Sequence, residues 1–379
     1  MFVFLPANIE IGSGITFSFH HIIELAIQFV LLGTRSRIDA HMPAVPVPDW
    51  SQPLPLSSPL SSPCPEDAIE ISRDGNTLYV LFTQDLIGNL PPEQVTAPPN
   101  GTYRLTRAGV PGDFTDPVFF DLGKGVGESL DGELSFAPDG TKVYFHSLRP
   151  TNTGYRQDPA VEDFLDVYVS DIVGGIPGPG RNLGYPVNTV YPDGEHAIHP
   201  DGVTLYYTSP RSGGLGGNDI WSSRWDGASW REPVNLGAPV NSPGNDLQPA
   251  FTLDGRVMYF TSDRGGTPQI YKASLPGGEV KRVTFEGGYN VSPALSPDGQ
   301  TLYVLSTRAG GTGQAAAGNQ DIWALTRAGA GWGEPRNLGA PVNSALPEYF
   351  PSLTRTGTIY FTREEPGTRQ SAIWRARRE

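Results

Sequence analysis

Apolar and polar positions follow the same pattern six times along the chain, and each copy predicts a β-hairpin. A copy has a short apolar run, a turn of the form x-Pro-Asp-Gly or a variant of it, and a second run with almost no polar residues, as in "SPALSPDGQTLYVLS" (Ser292–Ser306). In the turn, Pro presets φ, Asp bonds the backbone and Gly adopts positive φ without steric cost. The second run is typical of a strand that is covered on both faces.

The six copies align on the turn glycine, at Gly75, Gly140, Gly202, Gly255, Gly299 and Gly357. Spacings of 44 to 65 residues between these glycines indicate a repeat architecture, because one unit buries too little apolar surface to be stable alone. A tyrosine follows each glycine by three or four residues, and we expect it to pack between neighbouring sheets. These tyrosines are Tyr79, Tyr144, Tyr206, Tyr259, Tyr303 and Tyr360.

Two further strands complete each unit. "DVYVS" from Asp166, "DIWSS" from Asp219 and "DIWAL" from Asp321 are examples of the third strand. "WREPVNLGAPVNS" from Trp230 and "WGEPRNLGAPVNS" from Trp332 contain the fourth. Four strands in each of six units, with no helical period between them, predict an all-β fold: a six-bladed β-propeller with four antiparallel strands per blade.

The N-terminal part of the repeat region predicts how the ring closes. The sixth unit stops after its third strand, and "WSQPLPLSSPLSSPCPE" (Trp50–Glu66) aligns without a gap to "WGEPRNLGAPVNSALPE" (Trp332–Glu348). We therefore expect the N-terminal segment to supply the outer strand that the last blade lacks, which removes an open seam from the ring.

Residues 1–45 differ from the rest and are predicted to be an extension outside a propeller of residues 46–379. Their apolar stretch, Ile15–Leu32, is interrupted by polar residues, and no Lys or Arg precedes Arg35. Three interpretations stay open: a weak export signal or anchor, an amphipathic helix, or a translated extension upstream of a start at Met42. Any association with a membrane depends on which of them holds.

Charge and cysteine content narrow the function classes. A formal net charge of −13 gives no electrostatic footprint for nucleic acid and suits a cationic or protein partner. A single cysteine, Cys64, excludes an internal disulfide and a cysteine-rich zinc site. We expect a monomer without a bound cofactor.

The Pro-Asp-Gly turn, the "LYF-x-S-x-R" run and the "DIW" strand resemble the TolB-like, PD40 type of WD40-like propeller repeat, over about residues 50–379. The resemblance implies a six-bladed propeller and an extracytoplasmic, periplasmic location, whereas the weak signal favours the cytoplasm. It implies little about activity, since this repeat occurs in periplasmic scaffolds, in gating domains of peptidases and in a few lyases. The first copy departs from the pattern, with "FTQD" (Phe82–Asp85) in place of Ser-x-Arg.

Acidic residues recur nine positions before the turn glycine, where the chain starts the first strand of each blade. The six positions are Glu66, Asp131, Asp193, Asp246, Asn290 and Glu348. Because the first strand lines the channel of a propeller, these side chains are predicted to form an acidic ring at one mouth, braced by Asn188, Asn241 and Asn343. Such a ring would attract a basic peptide or a divalent cation. The alternative is that they only bond turn amides or face water.

Other polar residues favour structural roles. His196 and His199 of "EHAIHPDG" lie three apart in a strand and point to opposite faces, so we predict no metal site from them. The Ser-x-Arg arginines and the "DIW" aspartates recur in several blades, which predicts an ion pair within each blade. A functional site, in contrast, would break the repeat.

These observations predict a non-catalytic scaffold that binds a protein, peptide or glycan at the channel mouth or at a propeller face. The alternative is a carbohydrate-active hydrolase or lyase that uses the channel. No G-x-S-x-G nucleophile elbow occurs, and no catalytic residue is assigned.

Overall fold

The computed structural model describes residues 50–55, 66–72, 76–82, 101–106, 118–123, 131–147, 149, 151–153, 165–284, 287–296, 298–311, 320–329, 331–354, 357–364 and 371–377. No helix in these ranges is long and apolar enough to cross a membrane. The predicted extension, residues 1–45, lies outside them, so the division into an extension and a propeller stays a prediction.

Six antiparallel sheets follow one another along the chain, which confirms the predicted six-bladed β-propeller. Blade 1 consists of Glu66–Ile71, Thr77–Phe82, Gly101–Thr106 and Val118–Phe119; blade 2 of Asp131–Phe136, Lys142–Ser147, Asp166–Val173 and Arg181–Asn182; blade 3 of Gly194–Ile198, Thr204–Ser209, Asp219–Arg224 and Val234–Asn235. Blade 4 consists of Asp246–Phe251, Val257–Ser262, Gln269–Ser274 and Val280–Arg282; blade 5 of Asn290–Leu295, Thr301–Ser306, Asp321–Ala328 and Arg336–Asn337; blade 6 of Glu348–Leu353, Thr358–Glu364, Ser371–Arg377 and Leu54–Pro55. The short strands Ile176–Pro177 and Gly331–Trp332 pair with the ends of the third strands of blades 2 and 5.

Blade 6 is completed from the N-terminal side, as predicted. Leu54 pairs with Arg375 and Pro55 with Trp374, and the Ser51 amide donates to the Arg377 carbonyl at 2.8 Å. The two ends of the propeller are therefore joined by backbone hydrogen bonds within one sheet, which leaves no open seam.

The core lies between adjacent blades. Tyr144 and Val167 of blade 2 pack with Leu205 and Tyr207 of blade 3, and the same kind of contact recurs around the ring. The predicted role of the repeated tyrosines is confirmed: Tyr259, which is fully buried, packs in the cluster between blades 4 and 5, and its hydroxyl accepts a hydrogen bond from the Trp332 indole at 3.2 Å. Each blade stabilises its neighbours by burying a face that one sheet alone would expose.

A bulge interrupts the first strand of every blade. In four blades the bulged residue is not glycine and yet has a left-handed φ: Glu133 (50°), Glu195 (42°), Gln248 (57°) and Ser292 (54°). Left-handed backbone costs about 1–2 kcal/mol per non-glycine residue. A bulge adds one residue against the partner strand and re-aims its side chain, and all four side chains line the central channel.

Candidate functional site: the central channel

Five of the six residues predicted to form an acidic ring at the channel mouth are buried within the propeller and do not face the channel. Asp131, Asp193, Asp246 and Glu348 are buried, and each receives the guanidinium of its own blade. The pairs are Arg149–Asp131 (2.7 Å), Arg211–Asp193, Arg264–Asp246 (2.7 Å) and Arg363–Glu348 (2.9 Å). None of these carboxylates lines the channel cavity.

The two remaining positions differ. Asn290 is buried and donates to the side-chain oxygen of Gln269 at 2.8 Å, while the Glu66 side chain lies outside the described residues. Binding of a peptide or a divalent cation at these six positions stays a prediction, and four of the carboxylates already hold an arginine.

The predicted ion pair between the Ser-x-Arg arginine and the "DIW" aspartate is wrong. The arginine pairs with the carboxylate at the start of the first strand, because the third-strand aspartate is occupied by other donors. Asp166 accepts from the Thr153 amide and from the Asn182 side chain, both at 2.6 Å. Asp321 likewise accepts from Asn337 at 2.6 Å.

The amides expected to brace the acidic ring also have another role. Asn188 accepts a hydrogen bond from the Val167 amide at 2.9 Å and donates to the Val167 carbonyl at 2.8 Å. Asn241 and Asn343 hold Ile220 and Ile322 in the same way. In blades 2, 3 and 5 these side chains therefore join the loop after the fourth strand to the third strand. They satisfy a backbone N–H and C=O of the third strand that would otherwise lack hydrogen bonds.

The buried carboxyl group of Asp166 should make the stability of the fold depend on pH. It is fully buried, and burial raises its pKa to about 6 although its two hydrogen bonds oppose the shift. Because the folded state then binds the proton more tightly than the unfolded state, the stability that this group contributes is complete below about pH 4 and is lost as the pH rises through about 6. Asp166→Asn should remove this component, so the difference in unfolding free energy between variant and wild type should shift by about 2–3 kcal/mol between pH 4 and pH 7. Urea titrations at several pH values measure it, and a difference that does not change with pH contradicts it.

The channel encloses a cavity of about 540 Å³. Four carboxylates line it, those of Glu70, Glu133, Glu195 and Asp263, and none of the described lining residues is Lys or Arg. Carboxylates that share a concave site with low-dielectric walls focus a negative potential there.

One mouth of the channel carries a chain of hydrogen-bonded polar side chains from the loops of blades 3 and 4. The Asp263 carboxylate accepts from the Asn245 amide at 2.6 Å and from the Asn245 side chain at 2.7 Å. The Asn245 side-chain oxygen in turn accepts from the Asn218 amide at 3.1 Å. These hydrogen bonds hold the Asp263 carboxylate at the mouth, where it lines the cavity.

The channel-facing acids lie at other positions of the repeat than the residues predicted to form the acidic ring. In the first strands of blades 2 to 5, the residue seven before the turn glycine lies at the bulge and lines the channel, whereas the residue nine before it does not. That position varies among the copies, with Ala68, Glu133, Glu195, Gln248, Ser292 and Phe350. Asp263 also occupies a variable position, the middle of Ser-x-Arg. Variation within an otherwise regular repeat was the available signal.

The histidines divide into two groups. His199 has a structural role, as predicted: its Nε2 lies 2.9 Å from the Gly255 carbonyl, and its Nδ1 accepts from the Asp201 amide at 3.1 Å. His196 points elsewhere, toward His146 of blade 2, with ring centroids 6.3 Å apart. Glu133 lies beside them, its Oε2 atom 3.2 Å from His146 Nδ1. Burial, and then the neighbouring His146, lower the pKa of His196 to about 4, which keeps the imidazole neutral at physiological pH.

Comparison with known proteins agrees with this architecture. The TolB beta propeller domain family, PD40, matches residues 238–327. A segment of 46 residues is 54% identical to the Tol-Pal system protein TolB of Bordetella pertussis; this match covers 12% of the present chain and 10% of the length of that relative. The resemblance to the TolB-like PD40 repeat is therefore confirmed.

Solved structures show the same fold over most of the chain. A TolB-like structure from Agrobacterium tumefaciens is 19% identical, with a TM-score of 0.50 over 84% of this chain and 91% of that one. A protein of unknown function from Dyadobacter fermentans is 14% identical, with a TM-score of 0.55 over 88% of this chain and 100% of that one. At these identities the likeness shows the fold alone.

Proposed function

We propose that this protein is a non-catalytic propeller scaffold that binds a basic, extended segment of a partner protein in the mouth of its central channel. The observation that carries the proposal is the charge of the channel: four carboxylates and, among the described lining residues, no Lys or Arg. A cationic side chain that enters this cavity gains Coulomb energy, and an anionic ligand loses it.

The residues that line the channel suit the main chain of a bound peptide as well as its positively charged side chains. The mouth presents the hydrogen-bonded amides of Asn218 and Asn245 and the side chain of Gln320, which can donate to and accept from an extended backbone. Apolar residues such as Leu247 and Val291 line the cavity beside them. A concave site with apolar walls and a few fixed polar groups is the usual form of a specific binding pocket.

The negative charge of the channel also affects the alternative function, a carbohydrate-active hydrolase or lyase. A carbohydrate-active enzyme with an acidic glycan as substrate needs cations to bind it, whereas this cavity repels anions. The channel therefore favours a basic peptide over an acidic glycan. An extracytoplasmic location, suggested by the resemblance to TolB, is part of the proposal.

A selection experiment tests the proposal. A randomised peptide library is selected on the immobilised protein in the presence of a chelator, and an enriched peptide is then measured by fluorescence anisotropy. We expect enrichment of Lys and Arg, and an affinity that falls as the ionic strength rises. The double variant Glu195→Gln and Asp263→Asn should bind the enriched peptide about tenfold more weakly, as expected for the loss of two partly screened charge interactions.

Asp254→Asn is the matched control. It removes one negative charge from the exposed hairpin turn of blade 4, outside the channel lining, and should leave the affinity unchanged. Selection without enrichment of basic residues, or equal binding by wild type and the double variant, contradicts the proposal.

A further inference from the structure

We propose that Glu133, His146 and His196 form a binding site for a divalent transition-metal ion, such as zinc, between blades 2 and 3. This proposal rests neither on peptide binding nor on the predicted acidic ring, although Glu133 also lines the channel. Each of the three residues offers one donor atom, and the three atoms lie within 4.8 Å of one another. Glu133 and His146 come from the first and second strands of blade 2, and His196 comes from the first strand of blade 3.

The distances suit coordination after small side-chain rotations. Zinc bonds nitrogen and carboxylate oxygen at about 2.0–2.2 Å, so neighbouring donors in a tetrahedral site are about 3.4 Å apart. Glu133 Oε2 and His146 Nδ1 already lie 3.2 Å apart. The His196 donor completes the triangle from the opposite side of the blade boundary.

His196 has the hydrogen-bonding state of a ligand without its metal. The residue is 7% exposed, and within the described part of the chain neither of its ring nitrogens makes a hydrogen bond of normal geometry, although the Tyr144 backbone lies near the ring. A buried polar group without a partner costs about 1–3 kcal/mol, so native structures rarely keep one without a reason. A metal ion that accepts the lone pair of one ring nitrogen would supply that reason.

The ligands break the repeat, as a functional site is expected to do. The position of His146 is occupied in the other copies by Leu81, Thr208, Thr261, Leu305 and Thr362, and the position of His196 by Ile69, Leu134, Pro249, Pro293 and Pro351. Two substitutions in different units thus meet at one place, and the pattern of the fold requires neither of them.

Two glycines also break the repeat beside the site. A Cβ atom on Gly132 would lie 2.8 Å from Leu81 Cδ2 and 3.4 Å from His146 Nε2, and one on Gly194 would lie 3.2 Å from Leu165 Cδ1 and 4.0 Å from His146 Nδ1. Blades 4 and 5 have Leu247 and Val291 at the same position. The glycines therefore occur in the two blades that border the histidine pair.

The donor set indicates which ions fit. Two imidazoles and one carboxylate suit zinc, cobalt or iron(II), whereas calcium and magnesium prefer a shell made of oxygen atoms. Glu133 and His196 both line the channel cavity, so a bound ion would keep a coordination position on the channel side. Three protein ligands with one open position are a known form of zinc site.

The test measures zinc and cobalt binding to the full chain after treatment with a chelator. Isothermal titration with zinc should give one site per chain, and cobalt should develop the visible absorption bands of a four- or five-coordinate ion. The variants take their residues from other blades so that the fold is kept: Glu133→Gln, His146→Thr and His196→Leu. Each should weaken zinc binding by more than about 100-fold, since loss of a direct ligand exceeds the 10- to 100-fold effect of losing an outer-shell partner. His199→Ser is the matched control and should bind zinc as the wild type does.

The results are decisive in either direction. Zinc binding that all three variants lose and the control keeps supports the site. If the wild type binds zinc no more tightly than the variants, or gives no cobalt bands, the proposal is overturned. The cobalt measurement needs the wild type alone, so it decides the question even if a variant fails to fold.

Discussion

Replacing Trp50 by alanine should lower the free energy of unfolding by about 3–5 kcal/mol, which is the usual range for a large aromatic side chain removed from a core. Trp50 is 7% exposed and packs with Leu338 and Val342 at the boundary between blades 5 and 6. It directly precedes the segment that closes blade 6, so the substitution also weakens the contact that holds the two ends of the propeller together.

Urea unfolding followed by circular dichroism measures this effect. Trp225→Ala is the matched control, because Trp225 is 37% exposed and its nearest aromatic neighbour is Trp230, at 5.7 Å. The control should lose less than about 1.5 kcal/mol. Equal losses in the two variants would show that the N-terminal segment does not stabilise the ring.

Replacing Arg211 by methionine should destabilise the protein by about 3–5 kcal/mol, because it leaves the carboxylate of Asp193 charged and buried. The Asp193 side chain is fully buried, and the Arg211 guanidinium stacks over the rings of Tyr207 and Trp221 at 5.0 and 5.4 Å. The same guanidinium donates to the Pro186 carbonyl at 3.1 Å. One residue therefore joins the first, second and third strands of blade 3 to the loop before it.

The double variant Arg211→Met and Asp193→Asn should recover part of this loss, since no charge then remains buried without its partner. Arg256→Met is the matched control: its side chain is 84% exposed and lies 4.0 Å from Asp254, so the change should cost less than about 0.5 kcal/mol. Both comparisons use urea unfolding at one pH. A double variant that loses as much as the sum of the single variants would contradict a coupled pair.

The fold could be predicted to the level of single strands because the same turn and the same apolar strand pattern recur six times along the chain. A turn that ends in glycine, three times as Pro-Asp-Gly, fixes each hairpin, and the apolar second strands require cover on both faces, which neighbouring blades provide. Even the closing strand was predictable, since Trp50–Glu66 carries the side-chain pattern of Trp332–Glu348.

The channel lining could not be predicted in the same way. A strand with strict alternation would place residues nine and seven before the turn glycine on one face, and the bulge removes that equivalence. Asp193 consequently turns into the wall toward Arg211, while Glu195 turns into the channel.

The sequence by itself determined the number of blades, their strand order and the closure of the ring, because these depend on turns and apolar periods that are local and repeated. Only the tertiary structure decided which polar side chains face the channel and which of them lie close together in space. Glu133, His146 and His196 belong to two different units, and no spacing within one unit relates them. Their proximity follows from the packing of blade 2 against blade 3, where the positions that break the repeat are brought to one place.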